Sequence, residues 1–184
     1  MYVARILFPV KVLGPGDRIG IWFCGCPRRC DGCSNPELWE FQDRYKTSPA
    51  TVMTLIEKIA QNHRVDGFTI TGGDPFFQPD ALDTLLEEIK KISGDILVYT
   101  GYLKQDLPTS LLKNIAVLID APYIKERNKN CRLRGSDNQT IYVLNEKYRP
   151  VYENYLATTK NQIQNFSTQD GIISVGIHRP DFSF

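Results

Sequence analysis

The 184 residues, 42% hydrophobic and 23% charged, have the make-up of one ordinary soluble globular domain with enough apolar mass for a single core. A formal net charge of +1 gives no electrostatic ground for nucleic-acid binding, and no stretch reaches the apolar length that spans a bilayer. Five cysteines, an odd number, with no apolar run of leader length after Met1, speak against a disulfide framework and for a reducing, cytoplasmic setting where thiols bind metal or do catalysis.

Val3 to Val12 mixes apolar and β-branched residues and predicts a strand; Gly14-Pro15-Gly16-Asp17 supplies turn chemistry, and Ile19 to Phe23 predicts a second strand. That strand delivers Cys24-Gly-Cys26-Pro-Arg-Arg-Cys30-Asp-Gly-Cys33. The last three cysteines form a C-x3-C-x2-C run. Three thiolates on one short turn suit three irons of a 4Fe-4S cluster and leave the fourth iron open to a small molecule. The alternative for the same loop is a structural zinc site using all four cysteines, although zinc knuckles usually come as two separated C-x2-C pairs.

Ser48-Pro49 has the form of an N-cap with proline at the first helical position, and Val52, Leu55, Ile56 and Ile59 share one helical face, so a helix is expected from about Pro49 to Asn62. Gly67 to Thr71 reads as a buried strand ending in Gly72-Gly73-Asp74-Pro75. A helix from Asp80 to Ile92 turns Leu82, Leu85, Leu86 and Ile89 inward; then come a strand at Asp95 to Thr100, a short helix at Leu107 to Asn114 and a strand at Ile115 to Asp120. Strand and helix alternating with short connections imply right-handed crossovers and a parallel sheet, with ligands at the strands' carboxyl ends. Gly72 to Asp74, Thr100 to Tyr102, Asp120 and the cysteine loop therefore share one expected rim. Past Pro122 the pattern loosens: Lys125 to Lys129 reads as a solvated loop and Leu133 to Gln139 as turn and hydrogen-bonding groups. An amphipathic stretch from Val151 to Ile163 and a strand at Ile172 to Ile177 follow. The chain is too short for an eight-stranded barrel, which needs about 200 residues or more, so the expected class is α/β, an open partial (βα) barrel.

Paired glycines let a backbone approach a ligand closely, and the edge at Gly72-Gly73 could bond an amino acid's ammonium group with Asp74 adding opposite charge; a plain tight turn is the alternative. Cys26-x3-Cys30-x2-Cys33 followed by Thr71-Gly72-Gly73-Asp74-Pro75 resembles the radical S-adenosylmethionine superfamily. Gly14-Pro15-Gly16-Asp17-Arg18, Gly32, Ser34-Asn35, Trp39, Thr100-Gly101-Tyr102, Asp120 and Arg134-Gly135-Ser136-x-Asn138-Gln139 resemble, more narrowly, the anaerobic ribonucleoside-triphosphate reductase activating proteins, in the glycyl-radical activating branch. The resemblance runs from about Arg5 to Gln139 and implies a single radical SAM domain, with 1–139 as core and 140–184 as a C-terminal extension packed on it. It implies a 4Fe-4S cluster on Cys26, Cys30 and Cys33, and S-adenosylmethionine held by Gly32, Cys33, Ser34, Gly72, Gly73, Asp74, Thr100 and Asp120. An electron from a flavodoxin-like donor would cleave the sulfonium, and the resulting 5'-deoxyadenosyl radical would take hydrogen from a glycine of a large partner enzyme.

Thr100 and Asp120 have competing readings, a buried strand-end threonine and a helix-capping aspartate. Cys24 is either a buried strand-end thiol or a fourth thiolate beside the cluster loop. Ala121 stands where the family leads one to expect glycine, and Cys131 is assigned no role. His63 and His178 read as surface or packing residues. Arg28 and Arg29 could face a partner or offset cluster charge, with solvent exposure the commoner fate of adjacent arginines, and Arg134 either fixes a loop through carbonyls or meets the partner. Two other functions stay open: a radical enzyme acting on a different peptide or small molecule, and a non-catalytic zinc or iron-sulfur module.

Overall fold

A computed structural model describes residues 1–158, 161–169 and 171–179. Strand β1 (Val3–Val10) and β2 (Arg18–Phe23) form an antiparallel hairpin through the Gly-Pro-Gly turn. From β2 the chain alternates helix and strand: α1 (Pro49–Asn62), β3 (Gly67–Gly72), α2 (Pro79–Ile89), β4 (Ile96–Tyr99), α3 (Thr109–Leu112) and β5 (Val117–Asp120). The pairs β2–β3, β3–β4 and β4–β5 are parallel, and β6 (Thr140–Val143) closes the six-stranded sheet antiparallel to β5. The protein is thus mixed α/β with a mostly parallel central sheet. Helix α4 (Arg149–Thr158) and a separate hairpin, β7 (Ile163–Thr168) with β8 (Gly171–Gly176), complete the described chain.

Alternation along the strands assigns the two faces. Ile19, Ile21, Phe23, Phe68, Ile70, Ile96 and Val98 pack against Val52, Met53 and Ile56 of α1, the four inward residues of α2, and Leu111 of α3. Leu82, Leu85, Leu86 and Ile89 are fully buried, as their spacing requires. On α1 the face is rotated from the expected one: Leu55 is 51% exposed and Met53 takes the buried position. The opposite face of the sheet, with Trp22, Leu97, Val117 and Ile119, is covered by Tyr152 of α4 and by Val175 of β8. Three helices therefore cover one side, and the C-terminal segment covers the other.

Two expectations for the tail change. Thr140–Val143 is a strand of the main sheet; four residues after a polar loop carry too little alternation to stand out. The amphipathic stretch ends as a helix at Thr158, positions 159 and 160 lie outside the described residues, and Ile163 opens β7.

The amino ends of the strands are fixed by one buried network. Arg18, 0% exposed, donates to Thr69 Oγ1 (2.8 Å), to the carbonyls of Pro15 (3.1 Å) and Phe68 (2.5 Å), and to the Asp95 carboxylate (2.9 Å). The Tyr152 hydroxyl donates to Asp95 Oδ1 at 2.7 Å, so the same carboxylate ties α4 to the sheet. Burial works against charge on Arg18, but Tyr152 and Asp95 outweigh it and hold the guanidinium protonated above its ordinary range.

At the carboxyl end of β5 the backbone explains the missing glycine. Ala121 has φ +77°, in the left-handed region where a Cβ costs about 1–2 kcal/mol. An Ala121→Gly substitution relieves that strain but loosens the unfolded chain and removes a buried methyl, so it is expected to be neutral within about 0.5 kcal/mol in urea denaturation. Ala121→Val, branched at Cβ in the same conformation, is expected to lower stability by about 2 kcal/mol or more.

Candidate metal and cofactor site

Because β2 to β5 run parallel, their carboxyl ends form one rim. The cysteine loop is stitched to it by main-chain bonds: Gly73 N donates to Phe23 O (2.7 Å) and Asp74 N to Gly25 O (2.8 Å). On its other side the loop is held by Gly25 N to Leu38 O and Cys26 N to Trp39 O, both 2.7 Å. Glycine is required at this seam. Gly72 has φ +103°, and a Cβ on Gly73 would lie 2.4 Å from Gly25 O.

A cavity of about 350 Å³ opens at this rim, lined by Cys26, Cys30 and Cys33 together with Gly32, Ser34, Gly72, Gly73, Asp74 and Thr100. All of the predicted site residues except Asp120 are on its wall. Cys26 and Cys33 are half-buried; burial pushes both thiols up, opposed at Cys26 by the amides of Arg28 and Arg29 and at Cys33 by the amide of Asn35. The Trp39 indole N–H sits close enough to Cys33 to favour its thiolate while completing no hydrogen bond among the described residues.

Asp74 is 2% exposed and fully engaged. Its carboxylate accepts from Thr100 Oγ1 (2.9 Å), Gly101 N (2.9 Å) and Phe76 N (3.1 Å). Burial raises its pKa above the ordinary carboxylate value, while these donors and the nearby Arg28 pull it back. Thr100 is thus both a buried strand-end threonine and the hydroxyl that orients Asp74, which joins β3 to β4 across the rim.

Asp120 is not on the cavity wall. Its Oδ2 accepts from Lys104 N (2.8 Å) and its Oδ1 from Thr140 N (3.3 Å), so both oxygens are spent on backbone amides behind the rim. These bonds, to the first residue of the short turn Lys104–Asp106 and to the first residue of β6, hold the loops after β4 and before β6.

Other residues sort as clearly. Cys24 is 0% exposed and its thiol donates to Glu40 O at 2.7 Å, away from the three loop cysteines, which is the buried strand-end reading. Among the described residues no three His, Cys, Asp or Glu side chains converge on a single ion position. Arg134 fixes its own loop, donating to Gln139 O at 3.0 Å, and Gln139 in turn bonds Gly135 N (2.8 Å) and Ala121 O (3.0 Å). His63 is exposed at the end of α1, beside the Phe8 ring, while His178 is buried at the cavity. Arg28 lies over the Tyr102 ring, 4.4 Å from its centroid, and packs along Gly101, so it belongs to the site and Arg29 does not.

The sequence reading missed Trp22 and Tyr99, whose rings line the cavity one layer below the rim with Thr71 between them in register. Strand parity would have found them, since they alternate with the core residues of β2 and β4. The Tyr99 hydroxyl is buried without a hydrogen-bond partner among the described residues, as expected where a polar ligand completes the wall. It also missed Ser174 to Arg179, which reach the cavity from the C-terminal hairpin and carry no local motif.

A loop of three accessible thiols, glycine-lined, against a rim with one buried carboxylate defines a site for an iron-sulfur centre beside a polar ligand. Residues 12–142 match the family described as a 4Fe-4S single cluster domain. The anaerobic ribonucleoside-triphosphate reductase-activating protein of Enterobacteria phage T4 is 32% identical over 136 residues, covering 71% of this chain and 86% of that protein. The protein of the same name from Vibrio cholerae is 30% identical over 146 residues, covering 73% and 94%. The pyruvate formate-lyase-activating enzyme of Clostridium pasteurianum is 27% identical over 124 residues, covering 64% and 51%. The chain belongs to the anaerobic ribonucleoside-triphosphate reductase-activating proteins, built on the 4Fe-4S single cluster domain.

Proposed function

We propose that this protein is a radical S-adenosylmethionine activating enzyme whose substrate is a glycine of anaerobic ribonucleoside-triphosphate reductase. The observation that carries the reading is the meeting of Cys26, Cys30 and Cys33 with Gly72, Gly73 and Asp74 on one cavity wall. When bound, a 4Fe-4S cluster supplies the electron that cleaves the sulfonium and starts hydrogen abstraction. The chain itself does the positioning. Cys26, Cys30 and Cys33 are the cluster ligands; Gly32 and Ser34 give the ligand room on the loop side. The Gly72–Gly73 edge takes its ammonium group, with the Asp74 carboxylate, aimed by Thr100 and Gly101, adding opposite charge. Asp120 acts one step back, by holding two of the loops that shape the rim. A radical abstraction requires proximity and no proton transfer, so the site needs no general base. The sheet, β6 included, is read as an open partial barrel of radical SAM type in one domain, with α4 and the β7–β8 hairpin as an extension that covers one face. No helix of the described chain is long and apolar enough to cross a membrane. We place the activity in the cytoplasm, with a flavodoxin-like protein as electron donor.

The test is reductive cleavage of S-adenosylmethionine by anaerobically reconstituted protein with dithionite. Formation of 5'-deoxyadenosine that disappears in Cys30→Ala supports the reading; equal formation in the variant contradicts it. Cys24→Ser, which keeps a donor for Glu40 O, is expected to retain wild-type iron and sulfide content and cleavage. Loss of iron in that variant would return Cys24 to the ligand set.

A further inference from the structure

The described segment beyond residue 142 lies outside the family match, yet part of it walls the cavity. Hairpin β7–β8 is anchored at three points. Gln164 of β7 bridges Pro9 O (2.7 Å) and Lys11 N (2.9 Å) at the end of β1. Val175, 3% exposed, sits among Val10, Leu13, Trp22 and Leu38. Asn128 Nδ2 donates to His178 O at 3.1 Å. Around the last two anchors, Ser174 to Arg179 pass along the cavity that also holds Cys26, Cys30 and Cys33. Of the two hairpin strands only β8 lines it, through Ser174, Val175 and Gly176.

The edge of β8 opposite β7 has no strand partner among the described residues, since β7 and β8 form a two-stranded sheet. Exposed edges are normally blunted by lysine, proline or inward charge. The strand Gly171-Ile-Ile-Ser-Val-Gly176 has none of these, and Ile172 is 73% exposed. A glycine offers no side chain to grip, so an enzyme that acts on a glycine carbon within a protein must recognise the surrounding backbone. Main-chain pairing with an open edge supplies that affinity, and the alternate side chains supply selectivity.

We propose that β8 is the docking strand for the partner reductase's glycine-bearing segment, which adds to its open edge in extended form and is thereby delivered to the cavity. This rests on the activating-enzyme reading above. The exposed Ile172 gives the segment an apolar contact, while the Ser174 hydroxyl is already engaged with Asn165 Oδ1 at 3.0 Å.

The experiment uses the reconstituted full-length protein and the intact reductase. Hydrogen exchange of the Ile172 to Gly176 amides is expected to slow on adding reductase. Ile172→Lys, at an exposed position, is expected to raise the reductase concentration giving half-maximal glycyl radical about tenfold, equivalent to about 1.4 kcal/mol. The same variant should form 5'-deoxyadenosine without reductase at the wild-type rate. Unchanged exchange in β8 together with unchanged half-saturation overturns the docking strand while leaving the activase intact. Wild-type protein that cleaves S-adenosylmethionine yet never yields a radical on the reductase overturns both readings.

Discussion

Gly73→Ala is expected to cost the enzyme at least about a hundredfold in S-adenosylmethionine cleavage, the loss that a misplacement of roughly 1 Å produces in an oriented site. A Cβ there would lie 2.4 Å from Gly25 O, 2.8 Å from Gly25 C and 3.0 Å from Gly25 N, all backbone atoms with no flexible end to swing aside. The seam must open, and it is the seam that holds both Asp74 N to Gly25 O and the approach to Cys26. Because such overpacking costs about 1–3 kcal/mol, the variant should still fold, so activity and stability can be read separately. Cleavage at the wild-type rate in a folded Gly73→Ala protein would mean that the cysteine loop and the glycine edge are not coupled.

The largest stability effect is expected far from the chemistry, at Asp95. Arg18 is wholly enclosed, and Asp95 supplies both its counter-charge and the acceptor for Tyr152. Removing the carboxylate leaves a buried guanidinium without a charge partner, which costs about 3–5 kcal/mol. Asp95→Ala should therefore lower the urea midpoint steeply, while Tyr152→Phe, which removes one hydrogen bond, should cost about 1–2 kcal/mol. A loss under about 1 kcal/mol in Asp95→Ala would show that water reaches Arg18 in the folded protein. Since α4 hangs on the same carboxylate, exchange protection of Tyr152 and its neighbours should fall with Asp95→Ala before that of β3.

The parallel core was legible because its signals are local. Proline after an N-cap serine, leucines at helical spacing and short β-branched runs gave α1, α2 and the strands β2 to β5 close to their observed limits. The site was legible for a different reason: cysteine spacing and the Gly-Gly-Asp run each encode a chemical need in a few consecutive residues. What escaped depended on pairing across the chain. Strand β6 has four residues and owes its existence to β5, and Leu55 turned outward because α2 and the sheet, rather than α1 alone, decide which side is covered. Asp120 showed a carboxylate at the end of a strand but not the two amides, sixteen and twenty residues away, that occupy it. The C-terminal wall of the cavity is the same case, since Ser174 to Arg179 reach the site only through the anchors at Gln164, Val175 and Asn128.

The most direct test of function is an electron paramagnetic resonance spectrum of the anaerobic reductase after incubation with reconstituted protein, S-adenosylmethionine and reductant. An organic radical on the reductase, split by the single remaining α-hydrogen of a glycine and absent with Cys30→Ala, is the expected result. A silent reductase, in a sample where the same protein forms 5'-deoxyadenosine, would contradict its role as the activating enzyme.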